Sequence, residues 1–140
     1  MNDKRLDIIY TQLKKLVDLI EKDIMKEITD MEIGNLTIAE ISIMDAIGFH
    51  SEKTIKEIAE QLKVAVSTPT KTMDRLVKKD YIIRKTSAED RRMVVSSLTK
   101  KGHMALSKIN EMRHDKISEI TQKLTEDEIN YLLKMINRLI

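Results

Sequence analysis

Between Thr54 and Lys101 the chain runs through two short amphipathic segments joined by a four-residue break, then two β-branched runs separated by a polar, charged tip. Few architectures accommodate that succession. In Thr54-Ile55-Lys56-Glu57 the Thr side chain can cap the amide three residues on, and Glu57 can reach back to the N–H of the cap, so a helix is expected to start at Thr54. Ile55, Ile58, Ala59 and Leu62 recur at three- and four-residue spacing and predict one inward stripe, with Lys56, Glu57, Glu60 and Gln61 in water. Ala59 is the small member, suited to a close crossing with a second helix. Lys63 to Val66 is the expected turn, with Val64 as its apolar plug and Ser67 or Thr68 as the cap of the next helix. Pro69, the only proline, fits a first helical turn, because there it has no hydrogen bond to lose, whereas in an interior it costs about 3 kcal/mol.

From that start Met73, Leu76 and Val77 are expected to face inward. Ser67, Thr68, Thr70, Lys71, Asp74 and Arg75 remain for the outer face. Short hydroxyls and basic groups at the exposed beginning of a second helix suit the major groove of duplex DNA, where helix N–H groups and hydroxyls hold phosphates and Lys or Arg reaches guanine edges. Tyr81 to Thr86 and Met93 to Leu98 pair most simply as antiparallel strands around Ser87 to Arg92. Arg84 and Lys85 on the first strand, and Asp90, Arg91 and Arg92 at the tip, complete the candidate DNA contacts. A cationic tip beside a recognition helix suits the adjacent minor groove, whose narrow A·T-rich stretches attract an inserted Arg. Asp90, two residues before Arg92, can pair with its guanidinium and hold it in one pose.

These residues carry a resemblance. Ile58-Ala59-x-x-Leu62, the turn with Val64, the helix ending Leu76-Val77-Lys78-Lys79, Tyr81-Ile82, Asp90-Arg91-Arg92 and Ser97-Leu98-Thr99-Lys100-Lys101-Gly102 resemble the winged-helix core of the MarR family of bacterial transcriptional regulators. The resemblance implies a homodimer on a pseudo-palindromic operator, with the helix from Ser67 in the major groove and Arg92 in the minor groove. The expected fold is mainly α with a small β-hairpin wing: one domain over 1–140, with a winged-helix DNA-binding core at 36–102 and dimerisation helices at 1–35 and 103–140. Two positions depart from the family pattern. Asp80 stands where glycine is usual after the recognition helix, so it must adopt a left-handed cap, which Asp tolerates better than most residues. Pro69 removes a polar group from a face that could touch bases.

Charge is polarised to match. From Lys63 to His103 there are eleven Lys and Arg against four Asp and Glu, a net +7 in a chain of +2, which leaves −5 for the remainder. That puts positive field where DNA is expected and keeps it from the rest of the surface. With no cysteine, disulfides, thiolate metal sites and thiol-based peroxide sensing are excluded within the chain. His50, His103 and His114 show no ligand spacing, so neither a metal nor a cofactor is expected. No glycine-rich phosphate loop or activated serine suggests an enzyme. Thr125-Glu126-Asp127-Glu128 reads as a capping box rather than an acidic site. The sequence has no membrane span and no signal-peptide core, so a cytoplasmic protein is expected. A winged-helix module that binds protein instead of DNA is the alternative.

The ends are expected to make the dimer. Leu6, Ile9, Leu13, Leu16, Ile20, Ile24 and Ile28 keep seam spacing. Leu106, Ile109, Met112, Ile117, Ile120 and Leu124 mark a long helix after the wing, and Ile129, Leu132, Leu133, Ile136, Leu139 and Ile140 mark the last. That is more apolar stripe than a small core covers, and a second copy buries it economically. Thr37-Ile38-Ala39-Glu40 reads as a further capping box, opening an apolar helix through Ile41, Met44 and Ile47. The family resemblance implies a ligand where such a helix meets the dimer helices, so these three are the expected pocket residues for a small apolar or acyl effector. The run Ile41 to Gly48 and the wing are also similar to a MarR subgroup that represses fatty-acid synthesis genes with acyl chains on acyl carrier protein as co-repressor.

Overall fold

The computed structural model describes residues 2–30, 33 and 35–140. Positions 1, 31, 32 and 34 of the expected N-terminal dimerisation segment lie outside them. The elements run α1 (Asp3–Asp30), α2 (Ile38–Ile47), α3 (Ile55–Leu62), α4 (Ser67–Lys78), β1 (Ile82–Thr86), β2 (Val94–Leu98), α5 (Lys100–Thr121) and α6 (Glu126–Leu139). Helices with one antiparallel hairpin are the winged helix-turn-helix expected from the sequence. The chain divides into two compact units, Ile28–Ile109 and Met1–Glu27 with Asn110–Ile140.

The first unit is built around α2, whose Ile41, Ile43, Met44, Ala46 and Ile47 are all buried. Ile58, Ala59, Met73, Leu76, Ile82, Val95, Leu98, Leu106 and Ile109 complete its core. Each large aliphatic side chain removed from water there contributes about 1.5–3 kcal/mol. Thr54 caps α3 as expected, accepting the Glu57 N–H at 3.1 Å. Glu57 does not reach back to the cap amide; its carboxylate accepts the Thr54 hydroxyl at 3.2 Å. The turn after α3 is closed by Lys63 in the left-handed region, φ 56°, with the Val64 N–H on the Ala59 carbonyl. That backbone closure does the work expected of an apolar plug, and the Val64 side chain is left 40% exposed.

Ser67 and Thr68 are not caps. Val66 is already helical at the N-cap of α4 with no side-chain cap bond, and the Thr68 N–H closes on Ala65 O. Pro69 does lie in the first turn, where the helix has no partner for an N–H. At the other end Asp80 takes φ 66°, and N–H groups of Asp80 and Tyr81 bond to the carbonyls of Val77 and Leu76. This is a Schellman closure with Asp in the place of glycine, as expected. Val77, expected inside, is 38% exposed; Pro69 and Thr72 take the inward places instead.

The wing pairs Ile82 with Leu98 through Thr86 with Val94. Lys53 forms a bridge to Ser96 that ties the chain ahead of α3 to the hairpin. Gly102 explains the motif that closes the wing. Thr99 donates its hydroxyl to Asp80 O at 2.6 Å and accepts the Gly102 N–H at 3.0 Å, and its own N–H bonds to Tyr81 O. A Cβ on Gly102 would lie 2.1 Å from that same Tyr81 oxygen, so only glycine lets the head of α5 come this close.

In the second unit Ile24 and Met112 are buried, and Lys116 pairs with Asp23 and Glu119. Thr125 and Glu128 form the full reciprocal capping box of α6, and those bonds hold the Glu128 carboxyl below the ordinary range. Along α1, Leu6, Ile9, Leu13 and Leu16 are exposed. No residue of α6 is buried, so Leu132, Leu133, Ile136 and Leu139 are exposed as well.

Candidate nucleic-acid interface

The outer face of α4 carries Ser67, Thr68 and Lys71, all exposed, with Thr70 half-buried. The Thr70 hydroxyl donates to Val66 O at 3.2 Å, so one of the expected hydroxyls is engaged by its own helix. Pro69 is buried, and therefore takes nothing from the face turned to solvent. Asp74 pairs with Arg84 at 2.7 Å, fastening the first wing strand to the recognition helix. Lys85 pairs with Glu52 at 2.5 Å. Arg84 and Lys85 are thus exposed cations that each hold an acidic neighbour, a different situation from Lys71 and Arg91 on the open surface.

Arg75 is half-exposed, and its guanidinium is tied back at two points. Nε lies 3.4 Å from the Glu40 carboxylate, and Nη2 donates to Thr72 Oγ1 at 3.2 Å. Glu40 is completely buried. Lys79 Nζ grips both of its oxygens at 2.9 and 2.8 Å, and Lys79 also donates to Asn35 O. A buried carboxylate with two cations is tolerable; left with neither it would be destabilising by about 3–5 kcal/mol. Sequence reasoning missed this cluster by giving Glu40 to the Thr37 capping box. Thr37 does accept the Glu40 N–H at 3.2 Å, but the carboxylate turns inward. The signal was present, since Glu40 shares the i, i+4, i+7 stripe with Met44 and Ile47.

At the wing tip Asp90 receives the Arg92 backbone N–H at 3.0 Å and its Nε at 3.3 Å. The Arg92 backbone N–H first, and its guanidinium second, hold the Asp90 carboxyl below the ordinary carboxylate range. Ser87 Oγ accepts the Glu89 and Asp90 N–H groups from inside the turn. Arg92 itself is 91% exposed. The tip therefore presents a cation whose direction is set by its neighbour and whose surface is open, with Arg91 beside it.

Ile41, Met44 and Ile47 are buried in the core of the first unit. An apolar pocket of about 780 Å³ lies between Ile33, Tyr81, Met104 and Ala105, with Lys100, Lys101 and Lys108 around it. Lys101 stands 4.5 Å over the Tyr81 ring and donates to Lys79 O at 2.8 Å. Burial, and then the Glu40 charge, push the Tyr81 hydroxyl up. His50 and His103, far apart in sequence, come within 5.0 Å ring to ring. Among the described residues no group of three or more metal-binding side chains forms.

A helix pair presenting hydroxyls and cations, flanked by a hairpin with a latched arginine at its tip, defines a winged-helix DNA-binding protein. The MarR family profile matches residues 36–94. The regulator YpoP of Bacillus subtilis is 27% identical over 96% of this chain and 95% of its own length. The repressor MdtR of the same organism is 28% identical over 91% and 80%. FabT of Streptococcus pneumoniae, solved in complex with DNA, superposes with a TM-score of 0.83 at 26% identity, covering 99% of this chain and 94% of FabT. The winged-helix core of the chain matches the MarR family, and the chain is a DNA-binding transcriptional regulator, not an enzyme.

Proposed function

We propose that the protein acts as a homodimer on a pseudo-palindromic operator, as a repressor, with Ser67, Thr68, Thr70, Lys71 and Arg75 at the major groove and Arg92, flanked by Arg91, in the adjacent minor groove. The Asp90–Arg92 pair carries this proposal. An exposed arginine already held in one pose gives up little freedom on entering a narrow groove. Arg84 and Lys85, with their acids, serve the phosphate backbone at the sides. The exposed apolar stripes of α1 and α6 support self-association, and a two-fold dimer sets two recognition helices about 34–36 Å apart, one turn of DNA. The expected divisions, a core at 36–102 and dimerisation helices at 1–35 and 103–140, follow the same assignment of roles.

The effector is proposed to be an apolar or acyl molecule with an anionic end, held by the Tyr81–Met104 pocket and its lysines. Its apolar wall and cationic rim match that chemistry. Regulation of fatty-acid synthesis genes, with acyl carrier protein delivering the acyl chain, is the pathway proposed from the sequence similarity. A regulator of this kind works in the cytoplasm; among the described residues no helix is long and apolar enough to cross a membrane.

The test is selection of bound fragments from genomic DNA with the purified protein, followed by titration of the best fragment across salt. Wild type should bind with a steep salt dependence. Arg92→Ala, with two tips per dimer, should lower the slope by about 2, since each phosphate-neutralising contact contributes roughly 0.9. Salt-insensitive binding, or no enriched fragment, would favour the protein-interaction module.

A further inference from the structure

We infer that Glu40 is a positioning residue for operator reading: from inside the fold it fixes the edge that the Arg75 guanidinium turns toward DNA. The inference rests on α4 being the base-reading helix. A guanidinium has five N–H donors. Here Nε faces Glu40 Oε1 at 3.4 Å and Nη2 gives one hydrogen to Thr72 Oγ1 at 3.2 Å. What remains is the far edge, the two hydrogens of Nη1 and one of Nη2. Those are parallel donors of the kind that match the O6 and N7 of a guanine.

The anchor is itself immobile. Glu40 has a side chain 1% exposed, on α2, and both of its oxygens are held by Lys79 at the end of the recognition helix. A buried carboxylate that needed only a compensating charge would be satisfied by the half-buried Lys79 alone. The same oxygen instead faces Nε of an arginine whose side chain is 51% exposed. Lys79 supplies the compensating charge, so Arg75 keeps its own positive charge for DNA while losing rotamer freedom. Because Lys101 donates to the Lys79 carbonyl and lines the pocket, the anchor also sits two hydrogen bonds, by way of Lys79, from the proposed effector site.

The experiment uses duplexes selected by the wild-type protein from a randomised pool, together with every single-base-pair change in the best one. Wild type, Glu40→Gln, Arg75→Ala and the double variant are titrated against the set, with thermal melts to confirm folding. Glu40→Gln should lose about tenfold in discrimination, within the range of one bidentate arginine contact, and only at the positions where Arg75→Ala loses it. Binding to unrelated duplex should be unchanged, and the double variant should be no worse than Arg75→Ala. A uniform loss over all duplexes, or losses that add in the double variant, would make Glu40 a support of the fold and overturn the inference. Discrimination lost in Arg75→Ala but intact in Glu40→Gln overturns the inference and spares the α4 assignment. If Arg75→Ala changes no position, both fall. Should Glu40→Gln not fold, Glu40→Met with Lys79→Met replaces the ion pair by apolar side chains; the same restricted loss is then expected, and wild-type discrimination overturns the inference.

Discussion

Gly102→Ala sets two effects of opposite sign against each other. Gly102 is the third residue of α5, and in a helix alanine is favoured over glycine by up to about 1 kcal/mol. On propensity alone the variant should be stabilised. The added methyl, however, would lie 2.1 Å from Tyr81 O and 3.1 Å from Tyr81 C. Both are backbone atoms, so no side chain can swing away. The head of α5 must retreat by roughly an ångström, which costs about 1–3 kcal/mol as overpacking. The retreat also strains the Thr99 N–H bond to that oxygen and the Thr99 hydroxyl bond to Asp80 O, worth about 0.5–1.5 kcal/mol each. The clash wins, and a net loss of about 2–4 kcal/mol is expected. At about 3–4 °C per kcal/mol for a chain of this size, Tm should fall by roughly 6–16 °C. Urea titration and thermal melts followed by circular dichroism measure it. Gly48→Ala separates the two causes: its nearest neighbour would be 3.9 Å away, so its loss of about 1–3 kcal/mol comes from the backbone alone, φ 76° and ψ 170°, a conformation essentially reserved for glycine. A Gly102→Ala protein as stable as wild type would refute the packing of α5 against the corner after α4.

Leu13→Asp, on an exposed apolar stripe of α1, should leave the fold intact and shift sedimentation from dimer to monomer, with operator affinity falling by more than tenfold; an unchanged dimer would remove α1 from the interface. The Asp90 carboxyl is held down by the Arg92 N–H and guanidinium, so whatever the latch contributes is complete above the unfolded-chain pKa and is lost as pH falls through the lower folded value. Carboxyl-carbon NMR should find Asp90 titrating below a free aspartate and the tip unchanged between about pH 5 and 8, where such carboxylates stay ionised. A normal or raised midpoint would mean the latch is not closed in solution.

What was legible in the sequence was whatever local chemistry decides. Thr54, Thr125 and Pro69 mark helix starts because caps and proline act within one turn. Asp80 announced its left-handed place through position alone, and the two β-branched runs fixed the wing. The Asp90–Arg92 pair was readable because its partners are two residues apart. Val64 and the cap of α4 were misassigned because backbone closure at Lys63 and Ala65 replaced side-chain solutions, and Val77 because Pro69 and Thr72 took the inward places. Glu40 could be placed on the inward stripe, but its partners could not be named because they are 35 and 39 residues away. A capping box explained the same letter more cheaply. The burial of Ile41, Met44 and Ile47 was legible, but an apolar helical stripe does not distinguish a cavity wall from a filled core.

The central claim is that two recognition helices and two arginine-tipped wings engage one face of a duplex together. Hydroxyl-radical and base-methylation footprinting of the selected operator tests it most directly. Two major-groove protections about one helical turn apart should appear, each flanked by a minor-groove protection that Arg92→Ala erases. A single protected patch, or flanking protection that survives Arg92→Ala, would contradict it.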